Sequence, residues 1–252
     1  MKPKNCLIFG ASGQIGRNLI RGLTKNNIKV TALTRNIHQK GYILKTQANP
    51  GYLEVVEGSI FDHELIEKLF SNADLCVNLI GILFEKGKNN FNNIHVEFPK
   101  MISRYASTYK LEKFVHLSAL GIENAKDSIY AQSKLKGEEE ILNNFDKAVI
   151  ARPSIVYSVD DNFTTQLMTL LGLLPIFPIY YNGKTKFRPI FCSDLTNSIT
   201  KIIIDDIKEN IIEFAGPEEM SFKEILEKLL FLIKKKRLLL PMPISLARMT
   251  AH

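Results

Sequence analysis

Four apolar residues, Cys6-Leu7-Ile8-Phe9, end at Gly10, and two more glycines, Gly13 and Gly16, follow at three-residue intervals. Beyond them Ile15, Leu19, Ile20 and Leu23 recur at helical spacing. A short continuous apolar run is the pattern of a strand buried on both faces, and the periodic stretch is that of an amphipathic helix. Few chain geometries accommodate a glycine-rich turn between the two. One glycine permits a tight turn, one allows a pyrophosphate to approach the backbone, and one lets the helix pack on the strand. The helix N-terminus then presents N–H groups and the positive end of its dipole to an anion. The segment Gly10-Ala11-Ser12-Gly13-Gln14-Ile15-Gly16 is therefore a candidate phosphate cradle.

Its position in a repeat gives the turn its meaning. Strand-type runs at Lys29–Leu33, Tyr52–Val56, Leu75–Leu83 (with its outgoing turn), Phe114–Leu117 and Ala148–Ala151 alternate with helical patterns, including 93–109 and 129–144. Six β-α repeats predict an α/β fold, a doubly wound parallel sheet of the Rossmann type. After Pro153 the rhythm changes to a Gly/Pro-rich apolar segment and short elements, with a capping box at Ser221 and Glu224. The expected organisation is a nucleotide-binding domain over 1–153 and a smaller C-terminal α/β lobe over 154–252, some of whose elements return to the first domain.

The end of the second strand selects between dinucleotides. A carboxylate there would bind a ribose 2′-hydroxyl, whereas a guanidinium can clamp a 2′-phosphate. This chain has Thr34-Arg35 and no Asp or Glu close by in sequence, so NADPH is expected over NADH. Farther along, Tyr130 and Lys134 stand four residues apart on one helix face, and Ser118 follows the fifth strand. An ammonium beside a phenol should lower its pKa and make it a usable acid or base, and a serine hydroxyl can orient a carbonyl. Ser118, Tyr130 and Lys134 are the candidate catalytic residues.

Composition narrows the partners. Of 252 residues, 33 are Lys or Arg and 26 Asp or Glu, a formal charge of +7 that favours an anionic partner. The basic residues are scattered, which argues against nucleic acid. Three cysteines without a CxxC exclude a disulfide scaffold and point to a reducing compartment. The five histidines lack HxxxH spacing, so no metal site is expected, and His116, inside a strand, reads as a satisfied core residue. Met1–Asn5 leads straight into the first strand, so no targeting peptide is expected, and the apolar run 167–181 is too broken by Gly172, Pro175 and Pro178 to span a bilayer. The chain reads as cytoplasmic, with a peripheral membrane contact through residues 234–249, where Lys234-Lys235-Lys236-Arg237 precedes an apolar stretch.

Taken in order, the GxxGxxG turn, Asn78-Leu79-Ile80-Gly81, Ser118, the YxxxK pair and Arg152-Pro153-Ser154-Ile155-Val156-Tyr157 resemble the extended, atypical side of the short-chain dehydrogenase/reductase superfamily. The stretches Asn78–Glu85, Asn93–Glu97, His116–Gly121, Gly183–Ile190 and Leu238–Pro243 are most similar to the NADPH-binding accessory subunits of respiratory complex I and their bacterial relatives. That resemblance implies an NADPH held for structure or assembly at an NADH:quinone oxidoreductase more than for turnover. By position it places Gly10, Gly13 and Gly16 at the phosphates and Arg35 at the 2′-phosphate. Ser59, Ile60 and Leu79 would flank the adenine, Tyr130 and Lys134 would hold the nicotinamide ribose, and Gly81 and Pro153 would complete the cofactor site. Active members carry Asn where His95 aligns and often Asp where Ser59 aligns, and they continue past the point where this chain stops at His252. The alternative function is an NADP-dependent reductase, or a nucleotide-sugar epimerase/dehydratase, working through Ser118, Tyr130 and Lys134.

Overall fold

The computed structural model describes residues 4–205 and 207–242. His252 and residues 243–249 of the basic and apolar stretch lie outside them. The chain divides into two compact units, Met1–Pro153 with Cys192–Phe214, and Ser154–Phe191 with Ala215–His252.

The first unit opens with β1 (Asn5–Phe9), α1 (Gln14–Lys25), β2 (Lys29–Thr34), α2 (Ile37–Lys45), β3 (Leu53–Glu57), α3 (His63–Phe70) and β4 (Leu75–Asn78). A π-helical turn over Asn92–Glu97 runs directly into α4 (Phe98–Thr108), followed by β5 (Lys113–Leu117), α5 (Ile129–Asn144) and β6 (Ala148–Pro153). The second unit then contributes β7 (Val156–Tyr157), α6 (Asn162–Leu173), β8 (Ile176–Tyr180), β9 (Lys186–Phe187) and β10 (Ile190–Phe191). The chain returns to the first unit with α7 (Cys192–Ile204) and β11 (Ile211–Phe214), and closes the second with β12 (Met220–Ser221), α8 (Phe222–Leu232) and β13 (Leu238–Met242).

Seven strands of the first unit form one sheet in the order β3-β2-β1-β4-β5-β6-β11. Every neighbouring pair is parallel. This is the doubly wound order, with β11 added beside β6. Because all strands run one way, the segments that follow β1, β2, β4 and β5 leave from the same edge of the sheet. Local chemistry starts the helices: Asn36, Asp62 and Ser128 cap α2, α3 and α5 by accepting from the third residue on. One core gathers Leu7, Phe9, Phe70, Phe98, Ile102, Phe114 and Ile150, with Phe98 edge-on to Phe9 at 5.1 Å.

The second unit has its own core, in which Leu171 of α6, Phe177 and Ile179 of β8 and Ile225, Leu226, Leu229 and Leu230 of α8 pack together. Ser221 and Glu224 make the reciprocal capping box at the start of α8. The helix α6 lies partly within the segment read from sequence only as Gly/Pro-rich and apolar. Asp161, accepting from Thr164 N–H, starts it, and Gly172 near its end conceals its periodicity. Among the described residues no helix is long and apolar enough to cross a membrane.

Two glycines are required by close approach. A Cβ at Gly16 would lie 2.5 Å from the carbonyl oxygen of Ala11, so the start of α1 rests directly on the turn. A Cβ at Gly137, in α5, would lie 1.8 Å from the carbonyl oxygen of His95, which seats the π-helical turn against α5. Gly137→Ala should therefore lower unfolding stability by about 1–3 kcal/mol, the usual cost of overpacking a filled interior. Urea melts of the two proteins, compared at one pH, measure it.

Candidate functional site

The candidate residues lie where the strands of the first unit end. Gly10 adopts φ +79°, the left-handed conformation that turns the chain out of β1, and its Cα faces the backbone of Leu79, whose N–H donates to Phe9 O at 3.0 Å. Gly13 is the N-cap of α1 and offers no side-chain cap, and a Cβ built there would meet only Gly10 O, at 3.4 Å. The backbone is thus approachable at Gly13, whereas Gly16 is filled from below. Ala11 is fully buried under Gly16, so its side chain serves packing. Ser12, Gln14 and Ile15 are part-exposed on the same turn.

Arg35 is exposed one residue past the end of β2. The expectation that no carboxylate lies near it is corrected by the sheet. Parallel pairing sets Glu57 opposite Thr34, and Glu57 Oε1 accepts from Ile37 N–H at 3.0 Å. A residue remote in sequence thus brings a carboxylate beside the start of α2, two residues past Arg35. Ser59 Oγ accepts from Phe61 N–H at 3.2 Å in the turn that leads to α3, and Ile60 packs partly into the core.

The centre of the site is Lys134. It is buried on α5, and its Nζ donates to Leu117 O at 3.0 Å, at the end of β5. Desolvation pushes its pKa down to about 8, against the upward pull of Glu138 one turn on. Glu138 is itself buried and accepts from Arg152 of β6 at 2.6 Å through Nη2 and 3.1 Å through Nε. Gly81 borders the same ammonium, since a Cβ there would lie 3.4 Å from Lys134 Nζ. Pro153, buried at the end of β6, accepts from Leu120 N–H at 2.9 Å and holds the loop after Ser118.

Tyr130 departs from the sequence reading. Its phenol is pushed above its ordinary pKa by burial, so desolvation outweighs any help from the Lys134 charge. The ring stands edge-on to His95 and Phe91, at centroid distances of 5.4 and 5.9 Å. His95 is fully engaged. Its Nε2 accepts from Ile82 N–H at 3.1 Å, which places the ring proton on Nδ1, where it donates to Ser133 Oγ at 2.8 Å. Ser133 Oγ in turn donates to Tyr130 O at 2.7 Å. Burial, assisted by Lys134, lowers the His95 pKa to about 3, so the ring is neutral at working pH. The imidazole therefore pins the loop after β4 to α5, and both of its nitrogens are committed.

His116, expected to be a satisfied core residue, is a further correction. Ile80 N–H donates to Asn78 Oδ1 at 3.1 Å, so the Asn78 amide turns its NH₂ to His116 Nδ1, also at 3.1 Å. That leaves the His116 proton on Nε2, and this buried atom, like Ser118 Oγ, has no hydrogen-bond partner among the described residues. Burial drives the His116 pKa well below its ordinary value. Two unpartnered polar atoms near a buried ammonium mark a place built to meet a polar ligand. Asn78, His116, Glu57 and the Arg152–Glu138 pair were not singled out from sequence as site residues, because each acts through a neighbour distant in the chain.

A family model described as the NmrA-like family matches residues 2–128. The mitochondrial protein named NADH dehydrogenase (ubiquinone) 1 alpha subcomplex subunit 9 of Dictyostelium discoideum is 27% identical over 224 residues, which covers 88% of this chain and 62% of that protein. A protein of Caulobacter vibrioides named ceramide reductase is 25% identical over 220 residues, covering 86% of this chain and 63% of that one. The chain thus spans about three fifths of the length of these curated relatives. Among solved structures, the dTDP-glucose 4,6-dehydratase DesIV of Streptomyces venezuelae, solved with NAD bound, superposes with a TM-score of 0.79 at 17% identity, covering 96% of this chain and 85% of that one. At that identity the likeness establishes a shared fold.

A histidine whose pKa falls from 6.5 to about 3 on folding leaves the unfolded chain to take up the proton first. Its contribution to stability is therefore complete above pH 6.5 and is lost as pH falls toward 3. Between pH 6.5 and pH 4.5, His95→Phe should reduce the acid-induced loss of stability by about 2 kcal/mol relative to wild type. Urea melts at the two pH values test this, and parallel titration curves for the two proteins would refute it.

Proposed function

The chain belongs to the NmrA-like family, and on that footing we propose that it holds NADPH as an accessory protein of the respiratory NADH:quinone oxidoreductase type, peripheral to the membrane. The observation that carries the choice of holding over turnover is the electrostatic state of the site. The Tyr130 phenol is pushed up by burial, and His95 has both nitrogens committed, so the residues that would pass a proton at neutral pH are disfavoured for it. The relatives named as subunits of NADH dehydrogenase (ubiquinone) and of NADH-ubiquinone oxidoreductase support the same reading.

In this reading the backbone at Gly10, Gly13 and Gly16 carries the pyrophosphate, and Arg35 meets the 2′-phosphate with a charge-assisted hydrogen bond. Ser59, Ile60 and Leu79 flank the adenine. Lys134 and Tyr130 hold the nicotinamide ribose, with Gly81 and Pro153 at its edges. Ser118 Oγ and His116 Nε2, which lack partners among the described residues, meet polar groups on the bound molecule. NADPH would supply a hydride if a substrate were admitted. That second reading, a reductase or nucleotide-sugar epimerase/dehydratase using Ser118, Tyr130 and Lys134, is favoured by the unpartnered Ser118 hydroxyl and by the relative named ceramide reductase.

Calorimetry with purified protein tests the cofactor. Arg35→Ala should cost about 1.5–3 kcal/mol of NADPH affinity and leave NADH unchanged, the range for a hydrogen bond to a charged group. Glu57→Gln should improve NADPH binding by removing a like charge near the 2′-phosphate. Gly13→Val should abolish binding while circular dichroism still reports a folded protein. Because Lys134 loses its proton near pH 8, affinity should decline as pH rises through that value, and Lys134→Ala should bind weakly at every pH. Equal affinity of wild type for NADH and NADPH would overturn the cofactor assignment. For the role, a deletion strain complemented with Tyr130→Phe should keep membrane NADH:quinone activity. Loss of that activity with NADPH still bound would favour the enzyme.

A further inference from the structure

The outer surface of the second unit is unusual for a protein face exposed to water. The strands β8 and β13 pair in parallel, with Ile176 opposite Leu238, Phe177 opposite Leu239 and Pro178 opposite Leu240. Alternation turns Phe177 and Ile179 inward, where both are buried against α8. The outward positions Ile176, Pro178, Tyr180, Leu238 and Leu240 are all exposed and none is charged, although a solvated sheet face ordinarily alternates to polar residues. The surface continues onto the end of α6, where Leu173 is 75% exposed. The turn between α8 and β13 joins these parts. Lys235 Nζ donates to Gly172 O at 2.7 Å, Arg237 Nε to Leu171 O at 2.9 Å and Leu238 N–H to Pro175 O at 3.3 Å.

Charge identifies the occupant. Residues 162–184 and 232–242, which build this face, contain no Asp or Glu, yet they carry Lys184, Lys234, Lys235, Lys236 and Arg237. A docking face for another protein would ordinarily mix charges at its rim. A face with an apolar centre, the exposed rings of Tyr180 and Tyr181 and, among the described residues, cations only is the pattern of an interfacial membrane anchor, in which ring and aliphatic groups enter the acyl boundary while Lys and Arg meet anionic headgroups.

We propose that the β8–β13 face, with the end of α6, seats this protein on a bilayer rich in anionic phospholipid. The proposal deepens the peripheral placement given above and does not depend on the nucleotide. Residues Lys235 and Arg237 have a double task, since they close the C-terminal carbonyls of α6 and lend their charge to the surface. Lys234 and Lys236, both exposed, meet headgroups. Leu238, Leu240 and Ile176 enter the acyl boundary.

Flotation of the full chain with vesicles of phosphatidylcholine, with and without phosphatidylglycerol, tests this. Binding should be at least about tenfold stronger to the anionic vesicles and should weaken with salt. Lys234→Glu/Lys236→Glu and Leu238→Ser/Leu240→Ser should each lose at least about tenfold in partitioning. The charge-matched control Lys126→Glu/Lys136→Glu, on the first unit, should lose much less. Thermal melts followed by circular dichroism, together with NADPH binding, report whether each variant folds. A variant that keeps its melt without binding NADPH counts against the nucleotide reading alone. The proposal is overturned by equal binding to both vesicle types, by no binding, or by equal losses in the control. It is also overturned if sedimentation shows a wild-type dimer that Leu238→Ser/Leu240→Ser dissociates, because the occupant is then a second copy.

Discussion

An ammonium withdrawn from water must be held by something, and much of the first unit can be read as the means of holding Lys134. Its Nζ reaches the last carbonyl of β5, and Glu138 stands one helical turn away as a counter-charge. Glu138 is buried too and would be costly alone, so Arg152 of β6 clasps it. Two strands and a helix are thereby tied through three charged side chains. The remaining neighbours, His95 and His116, are kept neutral by the same burial and the same positive charge. An electrostatic arrangement of this kind is suited to binding an anion-bearing ligand steadily, because the positive charge is already in place before the ligand arrives.

The doubly wound order follows from patterns visible along the chain. Continuous apolar runs, a glycine turn after the first and amphipathic helices between them leave little choice of topology. The positions of Tyr130, Lys134, Ser118 and the three glycines follow from local spacing in the same way. What local spacing does not contain is proximity across strands. Glu57 comes beside the start of α2 only through the β2–β3 register, and Asn78 meets His116 only through β4 beside β5. The direction of the Tyr130 pKa depends on burial, which a pair of residues four apart does not report. The course of 154–191 was also obscure, because Gly172, Pro175 and Pro178 disguise a helix and a strand that turn one side inward and leave the other apolar.

The two units use apolar residues to different ends. In the first they are consumed in filling both faces of a parallel sheet. In the second, a small core, seven buried residues among those described, sits beneath two strands whose outer side is also apolar. A unit of that size gains stability from any further surface it can remove from water. In the membrane seating proposed above, association and completion of the fold would be parts of the same free-energy change.

The π-helical turn at Asn92–Glu97 has a consequence for how such a chain can vary in length. A π turn accommodates one residue more than the helix it interrupts. Deleting a single residue between 92 and 97 would return the segment to ordinary α geometry and rotate everything before it by about 100° relative to α4. The imidazole of His95 would then leave the Ile82 amide, and the loop that borders Lys134 would lose its fastening to α5. In this segment length itself carries information, and an insertion or deletion harmless in most surface helices would here redirect the site.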